Sequence, residues 1–310
     1  MSEELSEGEE RLTPLVSICC LSYNHSPFIR KCLDGFLMQE TTFPLEILIH
    51  DDASTDGTDE IVREYAANYP DKIFPLFEEK NKYSNGYKGR MDFFNYNRAR
   101  GKYIATCEGD DYWTDPLKLQ KQVDFMETHP DFSVCFHRCK HRYSAEEKYV
   151  DDDCGFLFVD GQDGVEVTRE LFFKHWVTQP LSMLFRFSSF DYGWQKKYKH
   201  YRDVHEIYHL LNEGKGWIFS FVGGVYNKHE QGISSMIEAQ SQYAISYNVS
   251  KELYDVNKDI YTKKNYADNL RWLIGASAEI DGVGIWYLIA RYLLLSSDLK
   301  FVLKMIIRRG

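Results

Sequence analysis

The stretch CEGDDYW at residues 107–113 sets three carboxylates, Glu108, Asp110 and Asp111, within four positions. Like charges this close repel, and burying them is costly without a positive partner. Carboxylate oxygens are hard ligands suited to Mg2+ or Mn2+, and such an ion also bridges phosphate oxygens and neutralises a departing diphosphate. The bland reading is a solvated turn after a strand. A second pair, Asp51 and Asp52, opens HDDASTDGTDEI at 50–61. Ser54 to Thr58 read as a turn and helix N-cap, which leaves the acid pair unexplained. A carboxylate at that point can accept from a base N–H or a ribose hydroxyl. No GxGxxG lies in this turn and no GxxxxGK[ST] occurs in the chain, so neither the Rossmann dinucleotide nor the P-loop mode applies.

Three further groups carry chemistry. Asp203 in YRDVHEIYHLL opens a helix and reads on its own as an N-cap. His229 in VYNKHEQGIS sits in a polar loop after a strand, and imidazole is a competent metal ligand. Lys228 beside it can neutralise phosphate. Lys82, Lys88 and Arg90 bring positive charge to the loop 79–90, where they meet a diphosphate or simply solvent; Arg90 is the preferred contact.

These residues need elements to position them. PLVSICCLSYN (14–24) and LEILIHDDASTDGT (45–58) are apolar runs ending in polar residues, the pattern of buried parallel strands. Strands are also expected at 71–78, 101–111 and 131–139, and helices at 26–39, 58–69, 91–99 and 115–130. Ser26 with Pro27, and Asp115 with Pro116, read as cap and first helical position. The alternation predicts a parallel α/β sheet through residue 139, in which ligands bind beyond the carboxyl ends of the strands. Asp51, Asp52, Asp110 and Asp111 all fall at such ends. Beyond 140 the expectations are helices at 168–176 and 203–214, strands at 178–187 and 217–229, and a mostly helical remainder from about 239.

The 310 residues suffice for one large domain with an appendage, and 44% hydrophobic content supports a core. A net charge of −10 leaves no broad basic field, which excludes a nucleic-acid binder. Seven cysteines in no paired spacing favour a reducing, cytoplasmic compartment over a zinc or disulfide framework. The acidic start MSEELSEGEERL is not a signal peptide and reads as disordered over 1–12.

VSICCLSYNHSPFIRKCLDGFLMQ, EILIHDDASTDGTDEI, ARGKYIATCEGDDYWTDPLKLQKQVDFMETHPDFS and the later YRDVHEIYHLLNEGKGWIF with YNKHEQGIS resemble, in order, the inverting family 2 glycosyltransferases of the GT-A fold. The resemblance is strongest over 14–139 and looser to about 235. It implies a Rossmann-like, mostly parallel central sheet flanked by helices, with a mainly helical C-terminal extension. The implied division is a nucleotide-sugar half at 13–139, an acceptor half at 140–238 and the extension at 239–310. By resemblance Ser22, Tyr23 and Asn24 lie against the base. Asp52 or its neighbour Asp51 holds base or ribose, and Glu108 and Asp110 fall in the DXD region. Asp110, Asp111 and His229 are the implied metal positions for Mg2+ or Mn2+. The family usually has Asp where this chain has Glu108. Asp203 falls where the family places its catalytic base, with Glu206 as the alternative.

The implied substrates are a UDP-, dTDP- or GDP-linked sugar and a hydroxyl on a surface glycan or lipid-linked acceptor. Two other readings stand beside this one. A sugar-nucleotide pyrophosphorylase would carry a Gly-rich basic loop after the first strand, which LSYNHSPF lacks. A nucleotide-sugar-binding protein without turnover is the other, and Glu108 points towards it. The last stretch, GIWYLIARYLLLSSDLKFVLKMIIRRG (284–310), falls short of the ~20 uninterrupted apolar residues that span a bilayer. It reads as a helix on a membrane face, on the core or in a homodimer.

Overall fold

The computed structural model describes residues 13–85, 93–230, 232, 238–276 and 283–309. The segment 1–12 and the side chains of Lys88 and Arg90 lie outside the described residues. In chain order the first half holds β1 (Val16–Ser22), α1 (Ile29–Leu37), β2 (Leu45–Asp51), α2 (Thr58–Asn68), β3 (Ile73–Phe77), the single turn α3 (Phe93–Tyr96) and β4 (Tyr103–Glu108). β1 pairs in parallel with β2 and β4, and β2 with β3. These strands are mostly apolar, as expected where core clusters cover both faces, and the buried polar residue Ser17 on β1 is paired with Glu46 on β2 (2.7 Å). Fully buried Ile18, Ile47 and Ile49 each contribute about 1.5–3 kcal/mol relative to exposure. The register sets Ser22 beside Asp51 and Leu21 beside Glu108, so both acid groups emerge at one edge.

The chain continues through β5 (Tyr112–Trp113), α4 (Lys118–Thr128), β6 (Phe132–Tyr143), β7 (Lys148–Asp151), β8 (Gly164–Val167), α5 (Arg169–Lys174), β9 (Leu184–Arg186), α6 (Asp203–Glu213) and β10 (Lys215–Lys228). Among the described residues the sheet has ten strands, in the order β3-β2-β1-β4-β9-β6-β10-β5, with β7 on β6 and β8 on β10. The parallel run stops at β4. The expected fifth parallel strand, β6, reaches β4 only through β9, which is antiparallel to both. The second half is therefore mixed rather than parallel.

Local chemistry accounts for the other departures. Only Leu184–Arg186 of the strand expected at 178–187 is a strand, and Pro180–Ser182 is a 3-10 turn. Side chains take the carbonyls a ladder would have used: Thr106 Oγ1 donates to Pro180 O (2.6 Å), Trp113 Nε1 to Leu181 O (2.8 Å) and Gln122 Nε2 to Ser182 O (2.9 Å). Ser26 does not cap α1, which starts at Ile29 without a side-chain cap. Asp115 lies three residues before α4 begins at Lys118 and is not its N-cap, though its Oδ1 accepts from the Leu117 amide (2.9 Å).

The extension holds α7 (Ala239–Asn257), α8 (Ile260–Gly275), α9 (Ile285–Ser296) and α10 (Leu299–Arg309). Its own core includes Tyr266, Leu270, Leu273, Leu288 and Val302. Tyr208 on α6 donates to Asp259, and Asn257 Nδ2 donates to Tyr198 Oη (2.9 Å), which ties the extension to the sheet domain. Among the described residues no helix is long and apolar enough to cross a membrane.

Candidate functional site

Two loops leave the carboxyl ends of β1 and β2 and lock to one another. Three successive amides are held by side chains of the STDGT turn: Asn24 N–H by Ser54 Oγ (2.9 Å), His25 N–H by Thr58 Oγ1 (2.9 Å) and Ser26 N–H by Asp56 Oδ2 (3.0 Å). In return Asn24 Oδ1 accepts from the Thr55 amide (2.8 Å). The turn thus cross-links two strand ends as well as leading into α2, where Gly57 at φ 90° supplies the left-handed residue before the helix. Asn24 (φ 54°) and Ala53 (φ 62°) are also left-handed, one at each strand tip.

Asp51 is buried and accepts from Ser22 Oγ (2.7 Å) and from the amide (2.9 Å) and hydroxyl (2.6 Å) of Ser54. Asp52 accepts from the amides of Lys82 (2.7 Å) and Tyr83 (3.1 Å). Both carboxylates therefore anchor loops. Tyr23, half-exposed, is the open aromatic beside them. The Lys82 ammonium is paired with Glu78 at 3.1 Å.

The turn after β4 is pressed against β1. Gly109 N–H donates to Leu21 O (2.7 Å), and a Cβ at 109 would stand 2.9 Å from His25 Nδ1, 3.0 Å from Ile29 Cδ1 and 3.1 Å from Leu21 O. A side chain at 109 would therefore have to displace His25 and press on the Leu21 carbonyl. The three acids then diverge. Glu108 is exposed at the strand tip. Asp110 Oδ2 lies 3.0 Å from His229 Nε2 and 3.8 Å from His25 Nε2, while its Oδ1 is buried with no hydrogen-bond partner among the described residues. Asp111 turns inward, where its Oδ1 accepts from the Asn227 amide (2.8 Å). The Asn227 side chain also donates to the Asp110 carbonyl. Phe28 packs against His229 with the rings tilted by 41° and their centroids 4.5 Å apart.

Electrostatics separate the pair. Burial, then the charge of Asp110, pushes the Asp111 carboxyl well above the usual carboxylate range. Burial also works against an ionised Asp110, but the His229 hydrogen bond and the nearby His25 and His229 outweigh it and hold Asp110 below its ordinary value. Asp110 is the member that stays ionised. Burial lowers His25, despite the opposing pull of Asp110.

The donor set fits a hard divalent ion bound jointly with a substrate. Among the described residues no three His, Cys, Asp or Glu side chains converge as a self-sufficient metal cage. A buried, unpartnered carboxylate oxygen with imidazoles beside it supplies one or two ligands, the arrangement in which Mg2+ or Mn2+ takes its other ligands from phosphates.

Asp203 begins α6, half-buried, with Oδ1 accepting from the Val204 amide (2.9 Å). Glu206 is fully buried and accepts from Tyr96 Oη (3.1 Å), so Asp203 is the more accessible carboxylate. No hydrogen bond or ion pair joins Asp203 to the Asp110 group among the described residues. On β10, Tyr226 and Lys228 line a cavity of about 450 Å3 with His141, Asp153 and Trp176. His25, Phe28 and Asn227 escaped the sequence reading. His25 had a usable signal, a polar residue just after a strand.

Comparison with known proteins agrees with this architecture. An uncharacterised protein of Mycobacterium tuberculosis (strain H37Rv) is 50% identical over 133 residues, 43% of this chain and 37% of that protein. The UDP-Glc:alpha-D-GlcNAc-diphosphoundecaprenol beta-1,3-glucosyltransferase WfaP of Escherichia coli is 36% identical over 118 residues, 38% of this chain and 43% of that one. The matched segment thus spans less than half the length of either relative. Among solved structures, Staphylococcus aureus TarS 1–349 in complex with UDP-GlcNAc superposes over 93% of this chain and 75% of its own, at TM-score 0.57 and 18% identity. The mannosyltransferase PcManGT of Pyrobaculum calidifontis, in complex with GDP-Man and Mn2+, covers 95% of this chain and 86% of its own, at TM-score 0.52 and 14% identity. At such identities these structures establish the fold alone. Residues 17–201 match the family described as Glycosyl transferase family 2, and the chain belongs to that family.

Proposed function

We propose that the protein is an inverting, metal-dependent glycosyltransferase that moves a sugar from a nucleoside diphosphate sugar to a hydroxyl of a surface glycan or lipid-linked acceptor. The observation that carries this is Asp110, whose buried Oδ1 has no hydrogen-bond partner among the described residues while His25 and His229 flank its other oxygen. It stands at the carboxyl edge of the sheet, where α/β folds bind ligands. The names of the similar proteins, which mention UDP-GlcNAc, GDP-Man and an undecaprenol-linked acceptor, support the substrate classes.

In this reading Tyr23 and Asn24 border the base, with Ser22 and Asp51 fixing that loop from behind. Asp52 shapes the wall through the backbone of Lys82 and Tyr83. Asp110 and His229 would hold Mg2+ or Mn2+. Asp111 fixes the β10 end that delivers His229. Arg90 remains a candidate diphosphate contact, and Glu108, exposed at the rim, a ribose contact. A cation held there would supply positive charge to the departing diphosphate. Asp203 takes the acceptor proton as that oxygen bonds to the anomeric carbon and the bond to the diphosphate oxygen breaks on the opposite face. We place the acceptor in the half 140–238, beside the cavity of His141, Trp176 and Lys228. That no disulfide joins the seven cysteines supports a reducing, cytoplasmic setting.

The test is a thermal-shift series with UDP, dTDP and GDP, each with and without Mn2+. Stabilisation that requires both nucleotide and metal is expected, and no response to any nucleotide overturns the reading.

A further inference from the structure

We infer that α9 and α10 form a docking face for an anionic lipid surface. This rests on the lipid-linked acceptor only as motive; the observations are independent of it. The two helices are locked as a unit: Tyr292 Oη donates to Asp298 Oδ2 (3.1 Å), and the Tyr292 and Phe301 rings stand 5.1 Å apart. Their inner faces are satisfied by Leu288, Ile289, Val302 and Met305, all buried. Their outer faces are not polar. Trp286 (60% exposed), Leu294 (75%) and Leu299 (64%) stand in water beside Tyr287 and Leu303. A single exposed leucine needs no explanation, but large apolar side chains recurring along two joined helices mark an interaction surface. On α9, residues 286, 290 and 294 fall at four-residue spacing, one stripe of the helix.

Charge identifies the occupant. From 283 to the end the sequence holds Arg291, Lys300, Lys304, Arg308 and Arg309 against a single acid, Asp298, in a chain of net charge −10. Lys300 and Lys304 alternate with Leu299 and Leu303 on exposed turns of α10. Exposed Trp and Leu beside Lys is the composition of a helix lying in a bilayer interface, apolar groups in the acyl boundary and ammonium groups at the phosphates. A second copy of the chain fits less well. A two-fold interface would join this face to itself, and with one acid on the stretch it would leave most of its basic groups without a carboxylate partner.

The experiment is co-sedimentation of the full chain with vesicles of pure phosphatidylcholine or of phosphatidylcholine with phosphatidylglycerol, in low and high salt. Binding to the anionic vesicles is expected, weakened by salt and at least about tenfold lower for both Lys300→Glu/Lys304→Glu and Trp286→Ser/Leu294→Ser. Both variants should keep the wild-type circular dichroism spectrum. Equal binding to neutral and anionic vesicles, or no binding at all, overturns the inference. So does a dimer in sedimentation velocity that the Trp286→Ser/Leu294→Ser pair dissociates while wild type ignores vesicles. Nucleotide and Mn2+ are absent from the assay, so its failure leaves the transferase reading standing, and failure of the nucleotide series leaves this one standing.

Discussion

Two neighbouring aspartates with opposite environments make a sharp pair of expectations. Asp110→Asn should abolish the Mn2+-dependent part of nucleotide stabilisation, a loss of about tenfold or more in metal affinity, at little cost to the protein's own melting temperature. Asp111→Asn keeps an acceptor for the Asn227 amide and should retain most of the metal response. Equal losses in titrations of the two variants would show that both acids are ligands. Asp203→Asn should lower transfer by about 10²–10⁴-fold while nucleotide binding is kept. Near-normal turnover by a folded variant would move the base elsewhere. The sequence separated these acids from the background because three of them crowd a strand end. It could not rank them, since the ranking depends on Asn227 and His229, more than a hundred residues away.

The STDGT turn ties elements together, and that tie is measurable. Thr58 is fully buried, and its hydroxyl accepts from the His25 amide. Thr58→Val keeps the shape and strands that N–H, so it should cost about 1–3 kcal/mol in urea unfolding. Gly109→Ala should cost a similar amount, because the Leu21 carbonyl 3.1 Å away is backbone and cannot rotate aside. Unchanged midpoints would mean that the loops relax freely. At this scale the strands β1 to β4 were legible, since apolar runs ending in acids name both the strand and its functional end. β5 and β9 were not. Two- and three-residue strands carry no periodicity, and the turn at Pro180 is held by side chains from Thr106, Trp113 and Gln122 that no local pattern reveals.

Stability as a whole should depend on buried histidines. Burial lowers His137 to about 3 and His209 to about 4, so each stays neutral in the fold while the unfolded chain takes up a proton near 6.5. The unfolded state then binds more protons between those values. Stability from each group is complete above about pH 6.5 and declines as pH falls, by up to about 1.4 kcal/mol per pH unit. Asp111 acts with the opposite sign: its raised pKa lets the folded chain hold a proton that the unfolded chain has released. Urea unfolding between pH 7 and 5 should show a net loss on acidification, and His209→Gln should flatten it; a slope that His209→Gln leaves untouched would contradict this assignment.

Asn227 has a consequence for how the molecule can be divided. One residue of the second half supplies both the amide that holds Asp111 and the side chain that holds the Asp110 carbonyl. A fragment ending near residue 139 would contain every strand of the parallel run and every acid of the DXD region, yet not the peptide that aims them. The boundary that looks natural in the sequence therefore cuts through the site. Grafting this donor half onto a foreign acceptor half would transplant the letters of the motif without its geometry, unless the last residues of β10 travel with it.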